Sequence, residues 1–359
     1  MADYTFTWEP HASQAAQLLS AEDYKECRDN FYLSPAWLDF ADTDQLAQGL
    51  YGSSPHCAGL VVHSSPQENN PYYSPGIIFG GRRGYHSSVP PVPDLRAAMG
   101  SALENLGACD TDAMAWTWPY LSAPDAQKVA AAWEGAKVFF AGAECFIPCE
   151  VESFDDFINQ LPTSQRRTNF RRELRSLAES DFRACELDGR ECLAQVERLG
   201  WLLSQVQTRY GHNHSPEAMA AMLSRQLEAL GSFARAFCLR DPSGQISAFN
   251  LSYEYEGALW TRVVGFDYER TRGFPAYTAV AFRAPVQACC DLGLGRLELG
   301  MESFHAKVLR GAQVRPLYSV GFESQPRTVD PATITAGLPQ REAQEFERSI
   351  AEYHQWGCK

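Results

Sequence analysis

No apolar run in this sequence approaches the roughly 18 residues that a membrane-spanning helix needs. The first residues, Met1 to Pro10, carry Asp3 and Glu9 where a secretory signal has lysine followed by an apolar stretch. The 11 cysteines are scattered and include no CxxC pair, which excludes metal and redox motifs of that spacing and predicts buried thiols. We therefore expect a cytoplasmic protein without a membrane span and without a bound metal.

Basic residues are scarce as well. The chain holds 31 lysines and arginines against 44 aspartates and glutamates, for a formal net charge of −13 at pH 7. Broad, nonspecific affinity for nucleic acid depends on many basic side chains that neutralise phosphates, so this function is disfavoured. A polyanionic partner would need a local cluster of basic residues.

The sequence does contain enough apolar material for more than one core. At 359 residues, 45% of them hydrophobic, the chain fits two domains of about 150 to 170 residues each. In both halves, apolar residues alternate between the spacing of strands and the spacing of helices. This alternation predicts a layered α/β fold.

The predicted elements follow from short β-branched runs, helical apolar spacing and capping residues, with N-caps at Ser34 and Asp94 and a C-cap at Gly107. In the first half they are helices at 35–40, 95–106 and 124–133 and strands at 58–62, 77–79, 113–118 and 138–147. In the second half they are helices at 153–161, 164–178, 191–210, 216–230, 275–292 and 303–309 and strands at 182–186, 233–240, 246–255, 258–266, 296–299 and 314–322.

The ends of the two halves resemble each other in sequence. In each half, a Leu-Gly pair is followed by a strand, a helix and then a Gly-Ala string. The pairs are Leu106-Gly107 and Leu292-Gly293, and the strings are Gly135-Ala136-Lys137-Val138 and Gly311-Ala312-Gln313-Val314. Similar residues at the same step of the same element order indicate a duplication. We predict two tandem domains, each a mixed twisted sheet flanked by helices, at 1–150 and 151–330, followed by a helical tail at 331–359.

The most informative segment joins a strand to a long helix. The strand ends in Gly265-Phe266-Asp267-Tyr268, and Glu269-Arg270-Thr271-Arg272-Gly273-Phe274-Pro275 leads into the helix. Free N–H groups and the positive end of the helix dipole favour an anion at such a position. The segment is either a phosphate-binding turn or a plain β-to-α turn in which Gly273 only supplies backbone freedom.

Three strings in this half, GFDYERTRGFPAYTAVAF, LGLGRLELG and HAKVLRGA, resemble the second half of the Fem-like acetyltransferases of the GNAT superfamily. That group includes the peptidoglycan-bridge aminoacyltransferases. Its members carry a strand ending in GFD, a helix beginning near a Pro-Ala-Tyr-like string, and a late lysine before an Arg-Gly or Phe-Gly pair. The resemblance covers 154–322 and rests in the first half on 31–40 and the duplicated order. It implies two GNAT-like domains, with donor binding and catalysis in the second and the acceptor in the first.

The position of the turn between a strand and a helix indicates where the donor binds. Its phosphates are expected at Arg270, Arg272 and Gly273, and Phe274 is a further expected donor contact. Lys307 and Arg310, three residues apart on one helical face, either steady a phosphate or carboxylate or belong to a surface helix.

In the resembled fold the acceptor amine must lose a proton before it attacks a carbonyl, so a carboxylate or histidine at a strand end is the expected base. The candidates are Glu302, Asp267 and His305. Glu302 comes just after the strand at 296–299, where α/β sheets usually present ligand groups. We therefore prefer Glu302 to Asp267, although either carboxylate could instead bind an arginine.

An arginine-rich helix precedes this region. Phe170, Leu174 and Leu177 form an apolar stripe that docks it, and its five arginines are Arg166, Arg167, Arg171, Arg172 and Arg175. These arginines either form a solvated face balanced by Glu173 and Glu179 or bind an anion. Similar helices follow the domain junction in the resembled family, so Arg166, Arg167 and Arg171 are candidate substrate contacts.

Four further residues are candidate substrate contacts. Tyr268 and Tyr277 flank the turn, and His212 and His214 precede a helix start. Two histidines at i and i+2 without a third ligand make a poor zinc site, so a loop lining a substrate cleft is expected. The glycine- and arginine-rich stretch at 80–84 is a second candidate for acceptor binding.

Three functions remain open from the sequence. The first is transfer of an acyl group from a pantetheine thioester such as an acyl-CoA to the amine of a small-molecule or peptide-like acceptor. The second uses aminoacyl-tRNA as donor, as the bridge-forming relatives do, but the chain lacks their coiled-coil arm and is acidic. The third is a binding module that keeps the fold without catalysis. We prefer the thioester donor.

Overall fold

The computed structural model describes residues 7–9, 29–42, 48–54, 57–65, 76–81, 83–106, 115–324, 326 and 328–354. The chain divides into two compact units. The first comprises Met1–Glu144, Met301–Phe304 and Val314–Lys359, and the second comprises Cys145–Gly300 and His305–Gln313. Residues 314–330, which the sequence assigned to the second domain, thus group with the first half of the chain.

The first unit has a mixed α/β architecture. Its strands are β1 (Thr7–Glu9), β2 (Gln48–Ser54), β3 (Cys57–Ser65), β4 (Gly76–Phe79), β5 (Trp116–Leu121), the beginning of β6 (Lys137–Pro148) and β12 (Gln313–Phe322). Its helices are α1 (Pro35–Asp42), α2 (Leu95–Asn105), α3 (Ala123–Ala132), α12 (Pro331–Thr335) and α13 (Gln340–His354). The strands run in the order β1-β2-β3-β4-β5-β12, with β4 and β5 parallel and the other pairs antiparallel.

Local capping explains where helices of this unit begin. Ser34 Oγ accepts a hydrogen bond from the backbone N–H of Trp37 at 3.2 Å, and Asp94 Oδ1 accepts one from Ala97 at 3.0 Å. Each side chain satisfies an N–H group that the first helical turn leaves unpaired. The predicted N-caps are therefore confirmed, whereas the predicted C-cap Gly107 lies outside the described residues.

Large aromatic rings fill the core of the first unit. Trp37, Trp116, Trp118 and Phe79 are each at most 1% exposed. The ring of Phe79 stacks on that of Trp118 with centroids 5.3 Å apart. Because each such ring buries about 150 to 250 Å², these residues provide much of the apolar burial that holds the unit together.

One carboxylate is buried in the first unit. The Glu144 side chain, on β6, is 2% exposed, and its Oε1 lies 2.7 Å from His86 Nδ1. The same oxygen accepts a hydrogen bond from Arg315 Nε at 2.8 Å. Burial alone would raise the pKa of Glu144, but His86 and Arg315 outweigh it and lower the pKa below its ordinary value. Glu144 therefore stays ionised inside the unit.

The second unit is also a mixed sheet with helices. Its strands are the end of β6, β7 (Arg183–Asp188), β8 (Ala234–Arg240), β9 (Ile246–Tyr255), β10 (Ala258–Phe266) and β11 (Arg296–Gly300). Its helices are α4 (Phe154–Gln160), α5 (Ser164–Ala178), α6 (Gly189–Ala194), α7 (Val196–Arg209), α8 (Pro216–Leu230), α9 (Ala276–Thr278) and α10 (Ala284–Leu292), with most of α11 (Phe304–Val308). The order is β11-β10-β9-β8-β7, in which only β10 and β11 are parallel, and the end of β6 pairs antiparallel with β11.

The predicted α/β fold class is confirmed, and several elements agree with prediction to the residue, namely α5, α8, β9 and β10. The single helix predicted at 191–210 is wrong. Gln195, at φ −113° and ψ 9°, separates α6 from α7. Helix α6 also begins earlier than predicted because Asp188 and Glu191 form a reciprocal capping box.

The long helix predicted at 275–292 is continuous but not uniform. Between α9 and α10 the segment Ala279–Arg283 is π-helical. Pro285 follows in the first turn of α10, where its missing N–H cannot extend an α-helical ladder. The buried side chain of Asn250 donates from Nδ2 to the carbonyl of Val280 at 3.1 Å and so stabilises the wide turn. Such π segments frequently occur at functional sites.

Candidate active site

Strands β10 and β11 of the second unit pair over only three residues of each strand. The parallel register runs from Ala258 with Arg296 to Trp260 with Glu298. Strand β10 then continues to Phe266 along β9, whereas β11 continues along β6. Within 258–300, a stretch that is described throughout, the two strands therefore open into a wedge beyond Trp260.

A bulge in β10 lies at the start of this wedge. The register with β9 shifts between Thr261 and Val263, which makes Arg262 the extra residue. Bulges bend a strand and are common next to active sites. Trp260 is 2% exposed, whereas Arg262, Val263 and Val264 are partly exposed. This part of β10 is therefore accessible to a ligand.

Asp267 fixes the turn that follows β10. Its carboxylate Oδ2 accepts a hydrogen bond from Arg198 Nη2 at 3.0 Å, and Oδ1 accepts one from the backbone N–H of Arg270 at 3.1 Å. Its carbonyl accepts a further bond from Thr271 Oγ1 at 2.6 Å. Since both carboxylate oxygens hold the turn, this geometry favours an anchoring role for Asp267 over the proton transfer that its sequence position had suggested.

Arg270 also stabilises the turn through ion pairs. Its guanidinium pairs with Asp241 in the β8–β9 connection, and its Nε lies 3.5 Å from Asp267 Oδ2. Burial would raise the pKa of Asp241, but hydrogen bonds from Ser243 and Arg270 lower it to about 2. Two carboxylates thus engage Arg270, whereas Arg272 is exposed to solvent.

The end of the turn presents open backbone. Gly273 has a φ of 74°, and a Cβ added there would meet no atom within 4 Å. Helix α9 then begins at Ala276 without a side-chain cap, although the Ala276 N–H donates to the backbone carbonyl of Phe274 at 2.8 Å. Uncapped N–H groups at the positive end of a helix dipole attract anions, and a phosphate-binding role for this turn remains a proposal.

An apolar cavity of about 510 Å³ adjoins Phe274. The Phe274 ring stacks on that of Phe182 with centroids 4.3 Å apart and planes at 18°. The other apolar wall residues are Phe154, Leu174, Leu177, Ala178, Ala184, Leu239, Ala279 and Ala284. Phe274, a predicted donor contact, is therefore also part of the apolar packing of the second unit.

A polar cavity of about 500 Å³ lies against the beginning of the turn. Its lining includes Arg198, Trp201, Asp267, Tyr268 and Arg270. The guanidinium of Arg198 lies 4.4 Å from the centre of the Trp201 ring. Burial raises the pKa of Tyr268. Tyr268, a predicted substrate contact, thus borders a space that a polar ligand could enter.

Arg310 belongs to an internal network rather than to a surface helix. It donates from Nη2 to Glu173 Oε1 and from Nε to Thr278 Oγ1, both at 2.9 Å. Its guanidinium lies 5.8 Å from the centre of the Tyr277 ring, and burial raises the pKa of Tyr277. Arg310 therefore ties the arginine-rich helix to α9, and its role in phosphate binding remains a proposal.

Lys307 is 6% exposed, and its Nζ donates to the carbonyl of Gly300 at 3.1 Å. This contact supports the end of β11, where the backbone is unusual. Gly300, Glu302 and Ser303 have φ values of 67°, 66° and 51°. Left-handed non-glycine residues carry strain, which proteins concentrate at functional sites. Glu302 and His305, the other candidate bases, are both exposed.

The arginines of helix α5 form two groups, those bound to backbone carbonyls and those exposed to solvent. Arg166 and Arg167 donate to the backbone carbonyls of Val308 and Leu161, at 3.3 Å and 2.5 Å. Arg171 donates to Asn159 Oδ1 at 2.7 Å and is exposed, as are Arg172 and Arg175. The exposed basic patch of α5 therefore consists of these three arginines.

His212 and His214 lie in an exposed connection between α7 and α8, with ring centroids 6.2 Å apart. Within the described ranges, no group of three or more histidine, cysteine, aspartate or glutamate side chains could hold a metal ion. In the glycine- and arginine-rich stretch at 80–84, Arg82 lies outside the described residues.

Sequence reasoning missed several residues that build this region. Arg198 and Asp241 hold the turn, Glu173 and Thr278 hold Arg310, and Phe182 stacks on Phe274. All of these partners are distant in the sequence and carry no local motif. The Asp-Pro-Ser-Gly string at 241–244 is typical of a turn but carries no sign of the ion pair between Asp241 and Arg270.

Comparison with known proteins identifies the class of this domain. Residues 164–308 match the family model described as an acetyltransferase (GNAT) domain. The chain therefore contains a GNAT acetyltransferase domain, and the predicted resemblance to that superfamily is confirmed. This finding supports an acyltransferase-type function. A search of curated proteins gives no match.

Solved structures share the fold. FemX superimposes with a TM-score of 0.61 at 9% identity, covering 88% of this chain and 96% of FemX. The C-terminal domain of a putative lysylphosphatidylglycerol synthetase from Agrobacterium fabrum gives 0.53 at 12%, covering 87% and 93%. A tandem GNAT protein from the clavulanic acid biosynthesis pathway gives 0.51 at 12%, covering 90% and 100%. At these identities the structures establish the fold alone, which is shared with FemX and a tandem GNAT protein.

No helix in the described part of the chain is long and apolar enough to cross a membrane.

Proposed function

We propose that this protein is an N-acyltransferase that forms an amide by transferring an acyl group from a pantetheine thioester, of the acyl-CoA type, to an amine. The acceptor is a small molecule or a peptide-like compound. The observation that carries this proposal is the turn between β10 and α9. It combines open backbone at Gly273, exposed Arg272 and an uncapped helix N-terminus at the end of the strand that borders the wedge.

Each part of a thioester donor has a chemically suitable counterpart in the second unit. Phosphates suit the N–H groups of the helix start and the guanidinium of Arg272. The pantetheine arm is an extended chain with two amides, which suits the side of β10 from which β11 diverges beyond Trp260. The donor therefore lies along β10 with its phosphates at the turn.

The transfer step forms one bond and breaks another. The acceptor nitrogen attacks the thioester carbonyl, the new C–N bond forms, and the C–S bond breaks to release the pantetheine thiolate. The nitrogen loses a proton to a base, and the thiolate is protonated as it leaves. We assign the base to Glu302, which follows β11 in the chain.

A glycine pair tests donor binding at the turn. We expect Gly273→Ala to raise the KM for acetyl-CoA by about tenfold, which corresponds to about 1.4 kcal/mol of lost binding, because the new methyl group would project from the backbone that approaches the phosphates. Gly257→Ala is the matched control. Gly257 also has a positive φ, 71°, and open space around its added Cβ, so both variants should lose a similar stability of about 1 to 2 kcal/mol.

Steady-state kinetics of both variants measure the effect on donor binding, and thermal melting measures the effect on stability. Equal KM values for Gly273→Ala and Gly257→Ala would contradict donor binding at this turn. Arg270 is unsuitable for the same test because its replacement would leave Asp241, whose side chain is 4% exposed, without its cation.

The exposed arginines of α5 support a second candidate, aminoacyl-tRNA as donor. Arg171, Arg172 and Arg175 could contact phosphates, and each neutralised phosphate would release a counterion and make affinity depend steeply on salt. We favour the thioester because Arg166 and Arg167 bind backbone carbonyls instead, and the acidic chain repels RNA.

A reaction with a panel of amines distinguishes these donors. With acetyl-CoA we expect an amide product by mass spectrometry that survives ribonuclease and changes little with salt. Product that forms only with charged tRNA and disappears with the nuclease would establish the second candidate. Binding of acyl-CoA with no amide from either donor would support a non-catalytic module.

A further inference from the structure

Two cysteines of the second unit face each other across neighbouring strands. Cys185 on β7 is the direct antiparallel partner of Cys238 on β8. Directly opposed residues have Cα atoms about 4.5 to 5.5 Å apart, which falls within the about 4.4 to 6.8 Å that a disulfide spans. The pair can therefore be bridged without a backbone rearrangement.

The two thiols have unequal surroundings. Cys238 is 2% exposed, whereas Cys185 is partly exposed on β7, the last strand of the order β11-β10-β9-β8-β7. The neighbouring Cys238 thiol and Arg240 lower the pKa of Cys185 to about 6, against the opposing effect of burial. The Cys185 sulfur and burial raise the pKa of Cys238. Cys185 is thus the more accessible and more acidic thiol of the pair, and Cys238 is its buried neighbour.

We propose that Cys185 and Cys238 form a peroxide-sensitive dithiol that closes to a disulfide between β7 and β8. The Cys185 thiolate attacks one oxygen of a hydroperoxide, the O–O bond breaks, and the leaving oxygen takes a proton from solvent, so that a sulfenic acid and one alcohol or water form. The Cys238 sulfur then attacks the Cys185 sulfur, the S–O bond breaks, and the hydroxyl leaves as water with the Cys238 proton. The two thiols are oxidised by two electrons and the peroxide is reduced.

A second thiol pair in the same unit serves as an internal control. Cys149 and Cys289 are 4% and 0% exposed, and their thiols donate to the backbone carbonyls of Ile147 and Arg296 at 3.6 and 4.0 Å. The nearby Cys149 sulfur and burial raise the pKa of Cys289. Because neither sulfur is accessible, this pair should resist an oxidant that reacts with Cys185.

The disulfide would join strands that border the apolar cavity. Ala184 pairs with Leu239 one position along the ladder, and both residues line the cavity with Phe182. Bridging Cys185 to Cys238 therefore fixes β7 to β8 next to the Phe182–Phe274 stack. We expect a higher melting temperature for the oxidised protein, independent of whether the protein transfers acyl groups.

The experiment treats the full-length protein with hydrogen peroxide, blocks remaining thiols with an alkylating agent and maps the peptides by mass spectrometry. We expect a peptide pair linked through Cys185 and Cys238, lighter than its reduced form by two hydrogen atoms and separated by dithiothreitol. Cys149 and Cys289 should be recovered alkylated after denaturation. Oxidation of Cys185 without the link, or a first link between Cys149 and Cys289, would overturn the proposal.

Two substitutions extend the test. In Cys238→Ser we expect Cys185 to accumulate as a sulfenic acid that dimedone traps, and in Cys185→Ser we expect Cys238 to stay reduced. Circular dichroism confirms folding of each variant. If either variant is unfolded, alkylation rates of the unsubstituted protein decide instead. Cys185 should react about tenfold faster than Cys290, which is also partly exposed but has a raised pKa, and equal rates would contradict the proposal.

Discussion

Replacement of Glu302 by glutamine is expected to lower kcat by about 100-fold or more, the usual effect of losing a general base. Glutamine keeps the shape and length of the side chain but does not accept the proton that the acceptor amine must lose. Glu302 follows the end of β11 and is exposed. Its left-handed backbone, with a φ of 66°, carries strain of the kind that proteins retain where a side chain must be aimed.

Glu323→Gln is the matched control for this prediction. Glu323 is also an exposed glutamate that directly follows a strand, β12, and its φ of 49° is likewise left-handed. Both substitutions should therefore have the same small effect on folding, measured by thermal melting. We expect only Glu302→Gln to lower kcat, and we expect the loss to remain at saturating acetyl-CoA and amine.

Unchanged turnover in Glu302→Gln would contradict the assignment of the base. His305, exposed on α11, would then be the next candidate. Asp267 is less suited because its carboxylate oxygens accept hydrogen bonds from Arg198 and Arg270. An Asp267→Asn variant would consequently change the turn as well as any proton transfer.

Replacement of Glu144 by alanine is expected to lower the free energy of unfolding by about 3 to 5 kcal/mol, as is typical when one partner of a buried ion pair is removed. The Glu144 side chain is 2% exposed and contacts both His86 and Arg315. Alanine would remove the buried carboxylate and leave the guanidinium of Arg315, whose side chain is 28% exposed, without this partner. Urea unfolding followed by circular dichroism measures the change.

Glu254→Ala is the control for this second prediction. Glu254 also pairs with an arginine, at 2.6 Å from Arg235, but its side chain is 36% exposed. Exposed pairs contribute about 0 to 1 kcal/mol because water screens them. Equal losses in the two variants would show that burial of the Glu144 cluster does not matter.

The free energy of unfolding is expected to depend on pH because the pKa of Glu144 is lowered in the folded protein. Its pKa in the folded protein lies below the ordinary value of 4.5, so the unfolded chain binds this proton more readily than the folded one. The contribution of the carboxylate to stability is therefore complete above the unfolded pKa and is lost as the pH falls through the folded pKa. The difference in stability between the unsubstituted protein and Glu144→Ala should shrink over that acid range.

The sequence predicted the elements of the second unit well because their signals are local. Helix α5 begins after Thr163, whose side chain accepts from the N–H of Arg166 at 3.2 Å, and α8 begins after Ser215 in the same manner. The turns after β8 and β9 contain Gly244 and Gly257, both at positive φ. Caps and turns depend on residues within four positions of one another, so they can be recognised without the fold.

The predicted duplication has a counterpart in local structure. Gly135 and Gly311 have φ values of 85° and 97°, and each precedes a strand, β6 or β12, by two residues. Glycine takes this left-handed conformation without the steric cost that a Cβ brings. The repeated Gly-Ala pair therefore marks the same backbone requirement in both halves.

By itself, then, the sequence determined the α/β class, most strands and helices of the second unit and the turn at 267–275, but neither the break at Gln195 nor the π-helical segment Ala279–Arg283. It did not determine what the charged side chains of that turn do. Nothing in the sequence assigns a distant partner to Arg270, and only the fold brings it to Asp241. Likewise, Arg310 pairs with Glu173, and Lys307 reaches the carbonyl of Gly300.

Caps and turns could be predicted from the sequence and ion pairs could not, because the two kinds of interaction join residues at different separations along the chain. Hydrogen bonds of caps and turns form between neighbours in the chain, whereas an ion pair depends on which segments the packing of the core brings within a few ångströms. Asp241 and Glu173, which the fold brings to Arg270 and Arg310, are distant from them in sequence, and chain separation sets no preference among the many carboxylates of an acidic protein. The tertiary structure alone selected them, and it thereby left Arg272 and the backbone at Gly273 as the open part of the turn.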